Sequence, residues 1–338
     1  MKYILSLSLM ALLCTCGGKE VKTSTVTAFG ETGRLTASVK KIPEPVLLPR
    51  FVCAADDYLF VYKEKEAKMF AIFGLPDGEY LCSAGQRGQG PDDFMMLDTR
   101  SFQVVGNGFR VMESGTNRLK TVEFKDGRLS VTKAEQIDLA SPANNGFYPL
   151  ADSVYLTFGQ PVELNEYGLY DKKTGNLVKT GDYPQWATTA ATDPAQLMFM
   201  YIKTCVVHPD GSKFATFYSR FKRLRIYDRE ANLLHDVEVR IAPFSTSPDA
   251  EPGKQPVYYI GQPQTAGDYI YALCANGPDE PADCELHVWD WDGNPVACYD
   301  FDRKVTYIAL SQKHGKLYAF DLATAEDEFY IYDLPQLR

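Results

Sequence analysis

Residues able to do acid–base, nucleophilic or metal chemistry are spread thinly along this chain. Four histidines stand at positions 208, 235, 287 and 314. A catalytic or metal-binding set needs positions that converge. His208 and His314 fall in or beside turns and His287 falls on a strand, so chance placement is the better reading. There is no G-x-S-x-G elbow and no H-E-x-x-H, which removes the α/β-hydrolase and zincin classes. Asp290-Trp291-Asp292-Gly293-Asn294 has the look of a calcium loop, but its glycine is fourth where the EF-hand needs it sixth, with a glutamate twelfth. A tight turn explains those residues fully. In the run from Gly85 to Phe94, Arg87, Gln89, Asp92 and Asp93 offer a polar cluster, and Gly88 and Gly90 would let backbone amides approach an anion. The favoured reading is architectural: the glycines and Pro91 set a sharp crossing and Asp93 caps the backbone beyond it.

The elements that would position these residues repeat. YLFVYK (58–63) is followed by KMFAIF (68–73), and GFRVME (108–113) by RLKTVEF (118–124). SVYLTF (153–158) precedes EYGLYD (166–171), and KFATFY (213–218) precedes RLRIYD (223–228). DYIYALC (268–274) pairs with CELHVWD (284–290), and KLYAFD (316–321) with DEFYIYD (327–333). These are alternating, aromatic and β-branched runs of strand length. Turn chemistry follows the later strand of each pair, at Pro76-Asp77-Gly78, Lys125-Asp126-Gly127, Thr174-Gly175-Asn176, Glu230-Ala231-Asn232 and Asp292-Gly293-Asn294. Six units of four antiparallel strands predict an all-β fold, a six-bladed β-propeller.

The sixth unit has no fourth strand of its own, and Arg34 to Lys40 alternates like a strand that belongs to no unit. Residues near 34–42 are therefore predicted to complete the last blade and close the ring, covering an edge that would otherwise be exposed. Two segments interrupt the repeat: 184–200, a long connection with a helical turn, and Pro243 to Pro263, an extended loop. Propellers bind ligands where their innermost strands begin. Those starts read as Arg50, Arg100, Asn145, Lys203, Tyr258 and Tyr307, and three cations at one mouth favour an anionic or sugar-acid ligand. Arg87 and Asp93 of the glycine loop are added as ligand-binding candidates.

The first residues, MKYILSLSLMALLCTC, carry a positive start and an apolar run too short to span a bilayer. Leu13-Cys14-Thr15-Cys16 resembles the lipobox of bacterial lipoproteins, which implies cleavage before Cys16 and lipid on it. An ordinary signal peptide with two incidental cysteines is the alternative. Gly17-Gly18-Lys19-Glu20 is similar to part of the signal that sends Bacteroidetes lipoproteins to the cell surface, with the periplasmic face left open. The predicted organisation is a signal peptide over 1–15, a lipidated spacer over 16–30 and a propeller over 31–338, so that about fifteen residues link lipid and ring. The net charge of -9, without a basic tract, makes nucleic acid a poor partner. Six cysteines remain past Cys16, none in CxxC pairs, and most read as buried thiols. Cys274 and Cys284 fall on neighbouring predicted strands, where a bridge is one option.

Gly88-Gln89-Gly90-Pro91-Asp92-Asp93-Phe94 resembles the G-x-G-P-[GDE]-[ED]-[FY] signature of the TolB-like six-bladed propeller lipoproteins of Bacteroidetes. Val207-His208-Pro209-Asp210-Gly211-Ser212-Lys213 is similar to the P-D-G turn of TolB-type blades. The resemblance covers nearly the whole mature chain and implies a fold and an address rather than a chemistry. Two functions compete. One is a membrane-anchored, monomeric, non-catalytic propeller that binds an envelope protein or glycan and needs no cofactor. The other is a propeller hydrolase, lactonase or lyase with a divalent cation in the central funnel, for which Glu113, Asn145 and Asp210 are the available donor types.

Overall fold

Short apolar runs broken by turn residues can bury both faces only if sheets stack against sheets, and a ring of radial sheets does this for every blade. The structure, a computed structural model, describes residues 20–139, 146–151, 153–188, 193–241, 254–278 and 284–337. Three strands come first: β1 (Lys22–Val26), β2 (Glu31–Leu35) and β3 (Ser38–Lys41). Blade 1 is β4 (Pro49–Ala54), β5 (Tyr58–Lys63), β6 (Lys68–Gly74) and β7 (Glu79–Gln86). Blade 2 is β8 (Gln103–Val105), β9 (Gly108–Glu113), β10 (Arg118–Lys125) and β11 (Arg128–Gln136). Blade 3 is β12 (Tyr148–Pro149), β13 (Val154–Phe158), β14 (Asn165–Asp171) and β15 (Asn176–Asp182). A short helix, α1 (Pro194–Met200), leads to blade 4, which holds β16 (Lys203–Val207), β17 (Lys213–Tyr218), β18 (Arg223–Asp228) and β19 (Leu233–Val239). Blade 5 is β20 (Pro256–Ala266), β21 (Tyr269–Pro278), β22 (Glu285–Asp290) and β23 (Pro295–Phe301). Blade 6 is β24 (Tyr307–Ser311), β25 (Lys316–Phe320) and β26 (Glu328–Asp333), completed by β3.

The six-bladed, four-stranded architecture predicted from the repeat is the one observed, and its last blade is closed from the N-terminus. β3 pairs antiparallel with β26, placing Val39 opposite Tyr330. The closing strand is shorter than the predicted 34–42. Arg34 and Leu35 belong to β2, which adds in parallel to the outer edge of blade 5 with Arg34 opposite Asp300. The chain changes blades at Ala37, whose N–H is held by the Asp302 carboxylate at 3.2 Å.

β1 likewise adds in parallel to β19, with Lys22 opposite His235 and Val26 opposite Val239. Part of the predicted spacer, from Lys22 on, is therefore strand, and Cys16 lies outside the described residues. The N-terminal segment is a strap that runs along the outer edges of blades 4, 5 and 6 in turn.

Burial follows radius. In the middle of blade 1, Leu59 to Tyr62 and Met69 to Phe73 are continuously buried, because both faces of the sheet meet a neighbour. The outer strand β15 is mostly exposed and polar. Each seam between blades holds its own apolar cluster, such as Phe60, Phe70, Phe94, Phe102 and Phe109 between blades 1 and 2. Full burial of one such side chain is worth about 1.5–3 kcal/mol.

The turns do as their residues require. Asp126 and Gly127 both take positive φ, the two-residue hairpin geometry. In blade 4 that role passes to Ala231 (φ 62°), supported by Asp228, which accepts N–H bonds from Glu230 and Asn232. The extended loop predicted up to Pro263 ends early, because 256–266 is the innermost strand of blade 5. Register shifts between Val257 and Tyr259 and between Ile260 and Gln264 take up its prolines. The predicted helical turn is α1, capped by Asp193, whose carboxylate accepts from the N–H groups of Ala195 and Gln196.

Candidate functional site

The six innermost strands surround the axis and run the same way, so the channel has an entry mouth where they begin and an exit mouth where they end. A cavity of about 780 Å³ opens at the exit mouth. Its walls include Phe51, Phe102, Tyr148 and Tyr155, and its polar lining includes Gln103, Arg110, His208, Asp210 and Gln312. Glutamines also staple the wall. The Gln103 amide donates to Phe147 O at 2.7 Å, and Gln262 donates to Cys205 O. Gln264 donates to Ile308 O at 2.5 Å and accepts from Leu310 N–H at 2.8 Å. Each joins one blade to the next, so the channel polarity is rigidly placed. At the rim, the His208 Nδ1 and Asp210 carboxylate are 2.6 Å apart. Hydrogen bonds from Ser212 and then from His208 hold the Asp210 carboxyl down to about 2. Gly211, with φ 70°, lets this turn press against the carbonyl of Leu150 where a Cβ would collide.

The candidates read from the strand starts lie toward the entry mouth and are only partly brought together. Arg50 is exposed and its Nε is taken by Glu64 at 2.8 Å. Tyr307 is half-buried close to Arg50. Tyr258 is buried against the cluster between blades 4 and 5, and burial pushes its phenol up. Arg100 and Lys203 share a pocket of about 120 Å³ with Phe158, Tyr183, Phe199 and Tyr201. Asn145 lies outside the described residues.

Lys203 is the most unusual of these groups. Its side chain is 5% exposed and its ammonium sits 5.1–5.3 Å from the ring centres of Phe158, Tyr167 and Tyr183. Its partner is Glu166, fully buried, at 3.1 Å. Glu166 also accepts from the Tyr218 hydroxyl at 2.7 Å and the Tyr227 hydroxyl at 3.4 Å. Burial pulls the Lys203 amine below its ordinary value, with Glu166 opposing, and burial together with the Glu166 charge raises the phenols of Tyr218 and Tyr227. Glu166 was missed in the sequence because it stands inside an aromatic strand, NEYGLYD, whose alternation hides it.

The glycine loop is held from within. Asp93 accepts from Gly90 N–H at 2.8 Å, and a Cβ on Gly88 or Gly90 would strike the Asp93 carboxylate. Arg87 donates to the Glu64 carbonyl. Asp92 reaches blade 2, accepting from Val131 N–H and Arg128, both at 3.0 Å. Underneath, a buried pair of Lys120 and Glu113 at 2.7 Å locks the loop: Lys120 donates to Asp93 O at 2.6 Å, and Glu113 accepts from Met95 N–H at 2.9 Å.

The histidines remain on separate elements with separate surroundings. His314 contacts Asp56 O at 2.9 Å, and His287 is enclosed in blade 5. The Asp290 turn is closed by its own side chain, which accepts from the N–H groups of Asp292 and Asn294 at 2.9 and 2.8 Å. Cys274 and Cys284 are reduced and lie in different clusters, Cys274 facing blade 4 and Cys284 facing blade 6, so the optional bridge does not form.

A family described as TolB-like 6-blade propeller-like matches residues 33–313. No curated protein matches the chain. Among solved structures, a Bacteroides vulgatus member of the DUF4221 family is similar in fold, with a TM-score of 0.60 and 11% identity over 89% of this chain and 97% of its own. A Bacteroides fragilis protein whose name marks it as exported gives a TM-score of 0.55 and 10% identity over 94% of this chain and 100% of its own.

Proposed function

Because the chain belongs to the TolB-like family of six-bladed propellers, we propose that it is a non-catalytic binding module of the bacterial cell envelope, held at the outer membrane by lipid on Cys16. The cavity of about 780 Å³ at the exit mouth carries this reading. It is large enough for a small ligand and combines aromatic walls with amide, imidazole and guanidinium groups. That mixture suits a hydroxyl-rich ligand, and an envelope glycan is the class proposed. Two solved structures of similar fold come from Bacteroides, one of them named as exported, which supports the address. A funnel enzyme with a divalent cation has less behind it. Glu113 is locked to Lys120 beneath the glycine loop and Asp210 to His208 and Ser212, on different blades.

Glycan arrays and titration calorimetry on the purified protein test the binding. A reproducible glycan class is expected, with affinity falling by at least about tenfold, or 1.4 kcal/mol, in Arg110→Ala. A flat array, together with an envelope pull-down that recovers no reproducible partner, would overturn the reading. Detergent phase partition tests the anchor: the native protein is expected in the detergent phase and Cys16→Ser in the aqueous phase.

A further inference from the structure

The buried face of blade 5 that looks toward blade 4 gathers a thiol, a carboxylate and an imidazole. Cys274 on β21 stands opposite Glu285 on β22, and His287 follows two residues later on the same face. One ligand atom from each of the three lies within 4.8 Å of the other two. His287 Nε2 is 2.8 Å from Glu285, and Asn276 brings its amide oxygen to 3.3 Å from the Cys274 sulfur. Cys274 and His287 have no exposure, while Glu285 is 24% exposed and opens the site to solvent.

We propose that Cys274, Glu285 and His287 form a binding site for a borderline-soft divalent cation of the zinc class, with Asn276 at the fourth corner. Sulfur, nitrogen and oxygen donors in one small cluster match that class, whereas calcium and magnesium take oxygen sets. The outer arrangement also fits. The Tyr259 hydroxyl lies 3.2 Å from His287 Nδ1, where it orients the ring and leaves Nε2 toward the metal. Phe29, from the strap between β1 and β2, packs on the imidazole with ring centres 4.7 Å apart and closes the site on that side. Lys222 acts on all three groups, with its ammonium donating to Ile241 O at 2.6 Å. Binding releases the thiol proton to solvent, while His287 coordinates as the neutral ring.

The test is titration of the metal-free full chain with Zn²⁺ and with Co²⁺. One equivalent of Zn²⁺ is expected, and Co²⁺ is expected to give a sulfur-to-cobalt charge-transfer band with the visible bands of a tetrahedral ion. Cys274→Ser, a near-isosteric change, removes the charge-transfer band. Tyr259→Phe weakens Zn²⁺ by about tenfold or more through the loss of ring orientation. Cys284→Ser, on the opposite face of the same blade, leaves both signals in place. Absence of the charge-transfer band in the native protein overturns the proposal whatever the variants do. Persistence of that band in Cys274→Ser, or its loss in Cys284→Ser, overturns it equally.

Discussion

Two buried lysine–glutamate pairs sit in neighbouring parts of the ring and are built to different standards. Glu113 receives Lys120 at 2.7 Å, Met95 N–H at 2.9 Å and Thr116 Oγ1 at 2.7 Å, and Lys120 also reaches a backbone carbonyl. Every strong contact is short and much of the set is backbone, so the pair is part of the loop it fixes. Glu166 has one short phenol bond, one long one and Lys203 at 3.1 Å. Among the described residues Lys203 has one further acceptor, Tyr201 O at 3.5 Å, and it is ringed by aromatic faces beside the small pocket with Arg100. Saturation by hydrogen bonds marks a pair as structural, and its absence leaves an ammonium restrained by one carboxylate and by aromatic packing.

The sharpest way to break this contrast is a pair of mutant cycles. Glu166→Ala and Lys120→Met are each expected to cost about 3–5 kcal/mol in denaturant unfolding, because each strands a buried charge. The double changes should then diverge. In a Tyr218→Phe background, where no closely bound hydroxyl loses its acceptor, Glu166→Leu with Lys203→Met is expected to be neutral or more stable than that background by about 1–4 kcal/mol, since apolar groups replace the buried pair. Glu113→Leu with Lys120→Met is expected to stay destabilised by roughly 1–3 kcal/mol, because Met95 N–H and the Asp93 carbonyl lose their partners. Equal recovery in both cycles would show that the two pairs are equivalent.

Smaller effects refine the comparison within the tyrosine set. Tyr218→Phe removes a 2.7 Å bond to a carboxylate and is expected to cost about 1.5–3 kcal/mol by thermal unfolding. Tyr227→Phe removes a 3.4 Å contact and is expected to cost less than about 1 kcal/mol. The gentlest signature is in pH. Burial pushes the Glu113 carboxyl up, but Lys120, Met95 N–H and Thr116 outweigh it and leave the group below its ordinary 4.5. A carboxyl lowered in the folded state contributes stability above its unfolded value, and that contribution disappears as pH falls through the folded value. Stability is therefore expected to drop below about pH 4.5, with a shallower acid slope in Glu113→Gln, as followed by urea midpoints between pH 6 and pH 3.

The blades were legible because their signals are local: alternation within six residues and a turn beside it. The closing role of the N-terminal strand was legible for the same reason, through an alternating run without a unit. β1 and β2 were hidden. KTSTV and ETGRL add to sheet edges through backbone groups and need no apolar residues, so the first reads as polar spacer and the end of the second, Arg34-Leu35, reads as part of the closing strand instead. Prolines at 256 and 263 disguised β20, whose register shifts accommodate them. The candidate cavity was harder still. Strand starts locate one mouth, whereas the cavity of about 780 Å³ formed at the other, from strand ends and the His208 turn. Glu166 and the Cys274 face depend on partners that register alone brings together, across blades in one case and across strands in the other.

The strap sets an order in time. Ala37 meets Asp302, and Lys41 meets Glu328 at 2.6 Å, across 265 and 287 residues of chain. The first strands to leave the ribosome are thus among the last to find their places, because blades 4, 5 and 6 must exist before anything can line their edges. Contacts of such separation make folding slow, and until they form blade 6 carries an open edge beside its finished neighbours. During that interval the nascent ring is most exposed to pairing with another chain, and the N-terminal segment ends it by supplying the missing strand.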